Sequence, residues 1–182
     1  MNMDKIEQGM SLILKGLGID PRDQNFSDTP ERYAKALYEM FNPQETEWAT
    51  FEESFNDFIL LRGHKMWSLC PHHMLPVHFT VSLAYIPNGH VLGLSKLARL
   101  LDECNSGPLL QERFTKLAVD KVLEICPSAK GASCLIHGTH SCLSMRGVKS
   151  AADFVTYKLS GVFETDRDLE HRFFTLARRS NA

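Results

Sequence analysis

Cys70-Pro71-His72-His73 places a thiol and two imidazoles in four consecutive positions. A thiolate and an imidazole three residues apart can converge on one cation in a tight turn or a first helical turn. Far along the chain, Gly138-Thr139-His140-Ser141-Cys142 offers a second pair, and read as a strand it points His140 and Cys142 to the same face. Cys70, His73 and Cys142 would form a sulfur, nitrogen, sulfur set that suits zinc and leaves a fourth position for water. A competing reading buries Cys70 and Cys142 as core thiols and leaves His72 and His73 in a polar loop, and spacing alone does not separate the two. Cys104, Cys126 and Cys134 read as core or surface thiols, and His64, His78, His90, His137 and His171 as structural histidines.

Other clusters could hold an anion or a base. Gly93-Leu94-Ser95-Lys96-Leu97-Ala98-Arg99 gathers a hydroxyl and two cations near a helix start, where free backbone amides also favour phosphate. Arg146 follows Cys142 closely, and Arg32 with Lys35 forms a cationic pair further upstream. Each alone reads as a solvated helix face as readily as a clamp. In Gln111-Glu112-Arg113 the carboxylate could accept two parallel hydrogen bonds from a guanine edge, although a lone triplet of this kind is ordinary surface.

The elements that must carry these groups follow from periodicity. Ile6, Met10, Ile13, Leu14 and Leu17 predict an amphipathic helix ending near Gly16 and Gly18. A second helix is expected to start at Thr29-Pro30-Glu31, with Thr29 as cap, and to stop at Asn42-Pro43. Residues 44–56 read as a loop anchored by Trp48, Phe51 and Phe55. Alternation over Val77–Ile86 predicts a strand, and Pro87-Asn88-Gly89 a turn. Helices are expected over 94–101, 109–126 and 168–178, paired strands over 132–136 and 142–145, and another strand near 154–159. The pattern is that of an α+β protein: a helical appendage, 1–56, and a body, 57–182, whose helices pack on one face of an antiparallel sheet.

With 182 residues, 43% of them hydrophobic and 23% charged, the chain suits one principal globular core. A net charge of -2 argues against a general nucleic-acid coat, though not against a local basic pocket. No apolar run is long enough to span a bilayer, so neither a membrane nor a nucleic acid is expected as partner. Five cysteines, an odd number, beside eight histidines favour thiols or metal ligands over disulfides and a cytoplasmic setting.

Taken in order, several separated motifs resemble zinc-dependent GTP cyclohydrolase I. They are Thr29-Pro30-Glu31-Arg32-Tyr33-Ala34-Lys35, Cys70-Pro71-His72-His73-Met74-Leu75-Pro76, Ala84-Tyr85-Ile86-Pro87-Asn88-Gly89, the 93–99 segment, Gln111-Glu112-Arg113, Thr139-His140-Ser141-Cys142 and Met145-Arg146-Gly147-Val148. The resemblance implies a tunnelling fold (T-fold) assembled into a toroidal homo-oligomer, usually a decamer, with active sites between subunits. It implies Cys70, His73 and Cys142 as zinc ligands and GTP as substrate. Glu112 would receive the guanine with Gln111 beside it, and Ser95, Lys96, Arg99 and Arg146 would contact ribose and triphosphate. Arg32 and Lys35 would reach the triphosphate from a neighbouring subunit. His140 would act as general acid, with His72 and Ser95 assisting, to give formate and 7,8-dihydroneopterin triphosphate for a folate, deazaguanine or other pterin route. The sequence departs from the family pattern at Pro71, at Phe79, over 105–108 and over Phe154–Tyr157. Three other functions share these residues: a zinc hydrolase of the same fold acting on another purine or pterin nucleotide, the related nitrile reductase of deazaguanine synthesis, and a non-catalytic pterin- or nucleotide-binding homologue.

Overall fold

A computed structural model describes residues 1–20 and 22–178. The chain divides into two compact units, the first being Met1–Pro43 and the second beginning at Gln44.

The first unit is a pair of helices, α1 (Met3–Gly16) and α2 (Thr29–Phe41), packed on each other. Asn2 caps α1 by accepting from the Lys5 N–H at 2.9 Å, and Gly18, at φ 76°, takes the left-handed conformation that ends it. Asp28, one residue before the expected cap, occupies the N-cap of α2, so Thr29 and Pro30 open the helix proper.

In the second unit a four-stranded antiparallel sheet runs in the order β2-β3-β5-β6: β2 (Ile59–Leu69), β3 (Pro76–Ile86), β5 (Gly131–His140) and β6 (Phe154–Gly161). A small separate sheet pairs β1 (Thr50–Glu52) with β4 (His90–Leu92). The segment 44–56, expected as a loop of the appendage, thus belongs to the body: β1 is hydrogen-bonded to β4, and Trp48 packs on the main core.

Alternation along β3 sends Val77, Phe79, Val81, Leu83 and Tyr85 to one face, where α3 (Leu94–Cys104) and α4 (Gln111–Ile125) cover them with Leu97, Leu100, Leu101, Phe114 and Val122. Phe79 and Phe114 stack with centroids 5.5 Å apart. The expectation that helices occupy one face needs correction. The short α6 (Val162–Thr165) and α7 (Arg167–Ala177) turn onto the other face, where Phe163, Phe173 and Ala177 bury Ala84, Ile86 and Leu135. Those three sheet residues are apolar on the side away from α3 and α4 and need a cover of their own. α5 (Ser141–Ser144) is a single turn at the end of β5.

Candidate active site

The β2–β3 hairpin closes through a loop, residues 70–75. The Cys70 N–H donates to the Leu75 carbonyl at 2.9 Å, the Met74 N–H donates to the Cys70 carbonyl at 2.8 Å, and Met74 takes the left-handed conformation at φ 53°. This fold-back brings the Cys70 sulfur to 3.8 Å from His73 Nδ1 and 3.9 Å from His72 Nδ1. Cys70 is buried while both histidines are exposed.

The third donor arrives from β5, which pairs with β3 from Ile86↔Gly131 to Val77↔His140. Residues 142–145, expected as a strand, are not one: the chain leaves the ladder at His140 and curls through α5. Partner strand β3 begins at Pro76, so beyond His140 no strand remains to pair with. The backbone satisfies itself locally instead, the Met145 N–H donating to the Ser141 carbonyl. That curl carries Cys142 to the hairpin loop, and the donor atoms of Cys70, His73 and Cys142 all lie within 4.8 Å of one another. Burial, and the Cys70 sulfur alongside, push the Cys142 thiol up from its ordinary value. An Arg146 guanidinium N–H donates to His73 Nε2 at 2.9 Å, joining the expected phosphate contact to the expected metal ligand.

His140, two residues before Cys142, lies edge-on to Phe79 and Phe154 at 6.2 and 5.9 Å, with Nε2 3.0 Å from the side-chain oxygen of Gln111. Burial holds its pKa below the usual imidazole value, and the Glu112 carboxylate pulls the other way. Gln111 and Glu112 open α4 and diverge. Glu112 is exposed in the first turn, where the helix dipole favours a carboxylate, whereas Gln111 is 2% exposed with its amide turned inward. Gln111, expected beside the guanine receptor, therefore spends its side chain inside the protein.

Ser95, Lys96 and Arg99 occupy the first two turns of α3, and Lys96 donates to the Glu47 carbonyl. Arg32 pairs with Asp28 at 2.9 Å and Lys35 with Glu31 at 2.6 Å, each along its own helix. Phe79, Phe154, Thr115, Thr156 and Gly138, all of which shape the surroundings of His140 or Gln111, carry no chemical signal that a sequence search for donors could detect. A separate cavity of about 470 Å³ on the opposite sheet face is lined by Arg62, His78, Thr80, His137 and Thr139, and by none of Cys70, His73 and Cys142.

The sequence profile of GTP cyclohydrolase I matches residues 6–178. The chain belongs to the GTP cyclohydrolase I family. Among its relatives in that family, "GTP cyclohydrolase 1" of Clostridium perfringens (strain 13 / Type A) is 38% identical across 97% of this chain and 98% of its own. The protein of the same name from Bacillus cytotoxicus is 37% identical, covering 91% of each. Among solved structures, the archaeosine synthase QueF-Like in its apo form is similar to 59% of this family member and 97% of its own chain, at 17% identity and a TM-score of 0.49.

Proposed function

We propose that this chain hydrolyses GTP, releases C8 as formate and closes the remainder to 7,8-dihydroneopterin triphosphate. One observation carries the proposal: in a chain of this family, donors from two distant stretches, Cys70 with His73 and Cys142, converge within 4.8 Å.

Two thiolates and an imidazole are a soft donor set of the kind zinc prefers, and three protein ligands are the number that catalytic zinc sites use, so the residues fit the ion. Zinc held there supplies Lewis acidity that activates water near neutral pH. The other roles fall to the protein. GTP carries about four negative charges, which calls for several converging cations, and Lys96, Arg99 and Arg146 serve that need with the Ser95 hydroxyl beside them. Glu112, exposed at the start of α4, accepts from the ring N–H and exocyclic amine of guanine, a pairing that adenine cannot offer. His140 delivers a proton to N7, which draws electron density from C8 as water adds, and His72 moves protons near the ribose.

A toroidal homo-oligomer built on the tunnelling fold belongs to the same proposal. The sheet ends in two edge strands, β2 and β6, and β6 exposes Phe154, Val155 and Tyr157. Unpaired edges with apolar residues are liabilities unless another strand covers them.

The test is metal analysis and GTP turnover on one sample, scoring formate and, after oxidation, pterin fluorescence. About one zinc per chain with stoichiometric formate is the expected result. Metal-loaded protein that binds GTP and releases no formate refutes the assignment.

A further inference from the structure

The hydrogen bonds around Gln111 run in only one consistent direction. Its Nε2 lies 2.9 Å from the Phe154 carbonyl, 3.0 Å from Thr156 Oγ1 and 3.3 Å from the Ile136 carbonyl. Two of these partners are carbonyls, which only accept, so the amide nitrogen must face them and the amide oxygen must face the other way. The hydroxyls agree. Thr115 Oγ1 donates to the Gln111 backbone carbonyl at 2.8 Å, which spends its single proton. Thr156 must then donate across the 2.6 Å contact to Thr115 Oγ1, leaving its own lone pair for the Gln111 amide. The amide oxygen, so oriented, is 3.0 Å from His140 Nε2. An oxygen that can only accept requires a proton on that nitrogen.

We infer that Gln111 is a positioning residue: its amide oxygen accepts from the His140 Nε2–H and so fixes both the tautomer and the orientation of the ring, leaving Nδ1 as the nitrogen with a free lone pair. Phe79 and Phe154 flank the ring edge-on and oppose its rotation. Gly138 has no side chain where a Cβ would fall on the Gln111 amide oxygen, so the strand passes close enough for the contact to form. This role differs from a contact to the purine and rests on the proposed use of His140 as proton donor.

The experiment uses the metal-loaded full chain and one variant, Gln111→Met, which keeps most of the volume without an acceptor. With GTP, Gln111→Met should lose about 10-fold or more in kcat with KM within about 2-fold. A KM raised about 10-fold at unchanged kcat identifies a purine contact and overturns the inference. Nitrogen NMR on protein with 15N-labelled histidine, assigned through His140→Gln, reads the tautomer independently of turnover. A wild-type signal with the proton on Nε2 supports the inference, and one with the proton on Nδ1 overturns it even where Gln111→Met fails to fold. Absence of formate from GTP in the wild type would end the proposed function while leaving the tautomer measurement to decide the role of Gln111.

Discussion

Gly138→Ala tests the geometry behind His140 with a single methyl group. A Cβ at this position falls on the Gln111 amide oxygen and within 3.0 Å of its Cδ and 3.1 Å of His140 Nε2. A flexible side-chain end would ordinarily swing aside. Gln111 is 2% exposed, however, and its amide nitrogen is held by Phe154, Thr156 and Ile136, so moving the oxygen means breaking those bonds or displacing the imidazole. Overpacking of this kind costs about 1–3 kcal/mol. Replacing glycine lowers the entropy of the unfolded chain and offsets about 0.4–1 kcal/mol of that. The balance is a net loss of up to about 2.6 kcal/mol, and its middle value of about 1.3 kcal/mol corresponds to roughly 3–5 °C in Tm for a chain of this size. Turnover should fall about 10-fold because the ring loses its fixed partner, while zinc content stays the same, since Cys70, His73 and Cys142 are untouched. Thermal denaturation, metal analysis and formate release on the same preparation measure all three. A variant with unchanged Tm and turnover within about 2-fold of wild type would show that no such close approach exists.

Thiol labelling near pH 8 followed by mass spectrometry should find Cys142, which is only partly buried, protected by metal and open after chelation. Cys104, pushed up to about 12 by burial, and the fully enclosed Cys134 should stay slow in both states, so that faster modification of Cys104 than of Cys142 after chelation refutes this ordering. The Arg172 guanidinium, 2.6 Å from Asp57, holds that carboxyl below its ordinary value. Its stabilising effect is therefore present above the unfolded carboxyl pKa of about 3.9 and is lost as pH falls through the folded value. Asp57→Asn should cost under about 1 kcal/mol near neutrality, because the pair is half exposed, and the difference from wild type should vanish in acid; a gap that widens on acidification contradicts the pairing. Tyr85→Phe removes the acceptor 2.7 Å from the buried Leu92 N–H and should cost about 1–3 kcal/mol in urea denaturation, whereas an unchanged midpoint would mean the amide has another partner.

The convergence of Cys70, His73 and Cys142 is legible in the sequence because it depends on residue type. Cysteine and histidine at short spacings announce donors wherever the backbone goes, and Cys70, His73 and Cys142 do converge. Helices α1 to α4 and strand β3 are legible because long periodic runs leave little choice of period. The 142–145 segment was not, since its apolar residues suit a strand and only the place where β3 begins removes the partner that a strand needs. Residues 50–52 pair with residues 90–92, an association that no local pattern encodes. The inward turn of Gln111 escaped for a related reason: it depends on Phe154 and Thr156, more than 40 residues away, whereas the adjacent Glu112, one step around the helix, reads correctly as exposed.

The uninterrupted β3–β5 ladder from Ile86↔Gly131 to Val77↔His140 acts as a ruler for the chemistry at its end. A slip of one residue would exchange the two surfaces and send the imidazole to the wrong side of the sheet. A slip of two would keep the sides but carry the ring about 7 Å from Gln111, beyond any hydrogen bond. The apolar sequence of β3, whose Phe79 also packs against that ring, is thus as much a determinant of where the imidazole sits as the histidine itself.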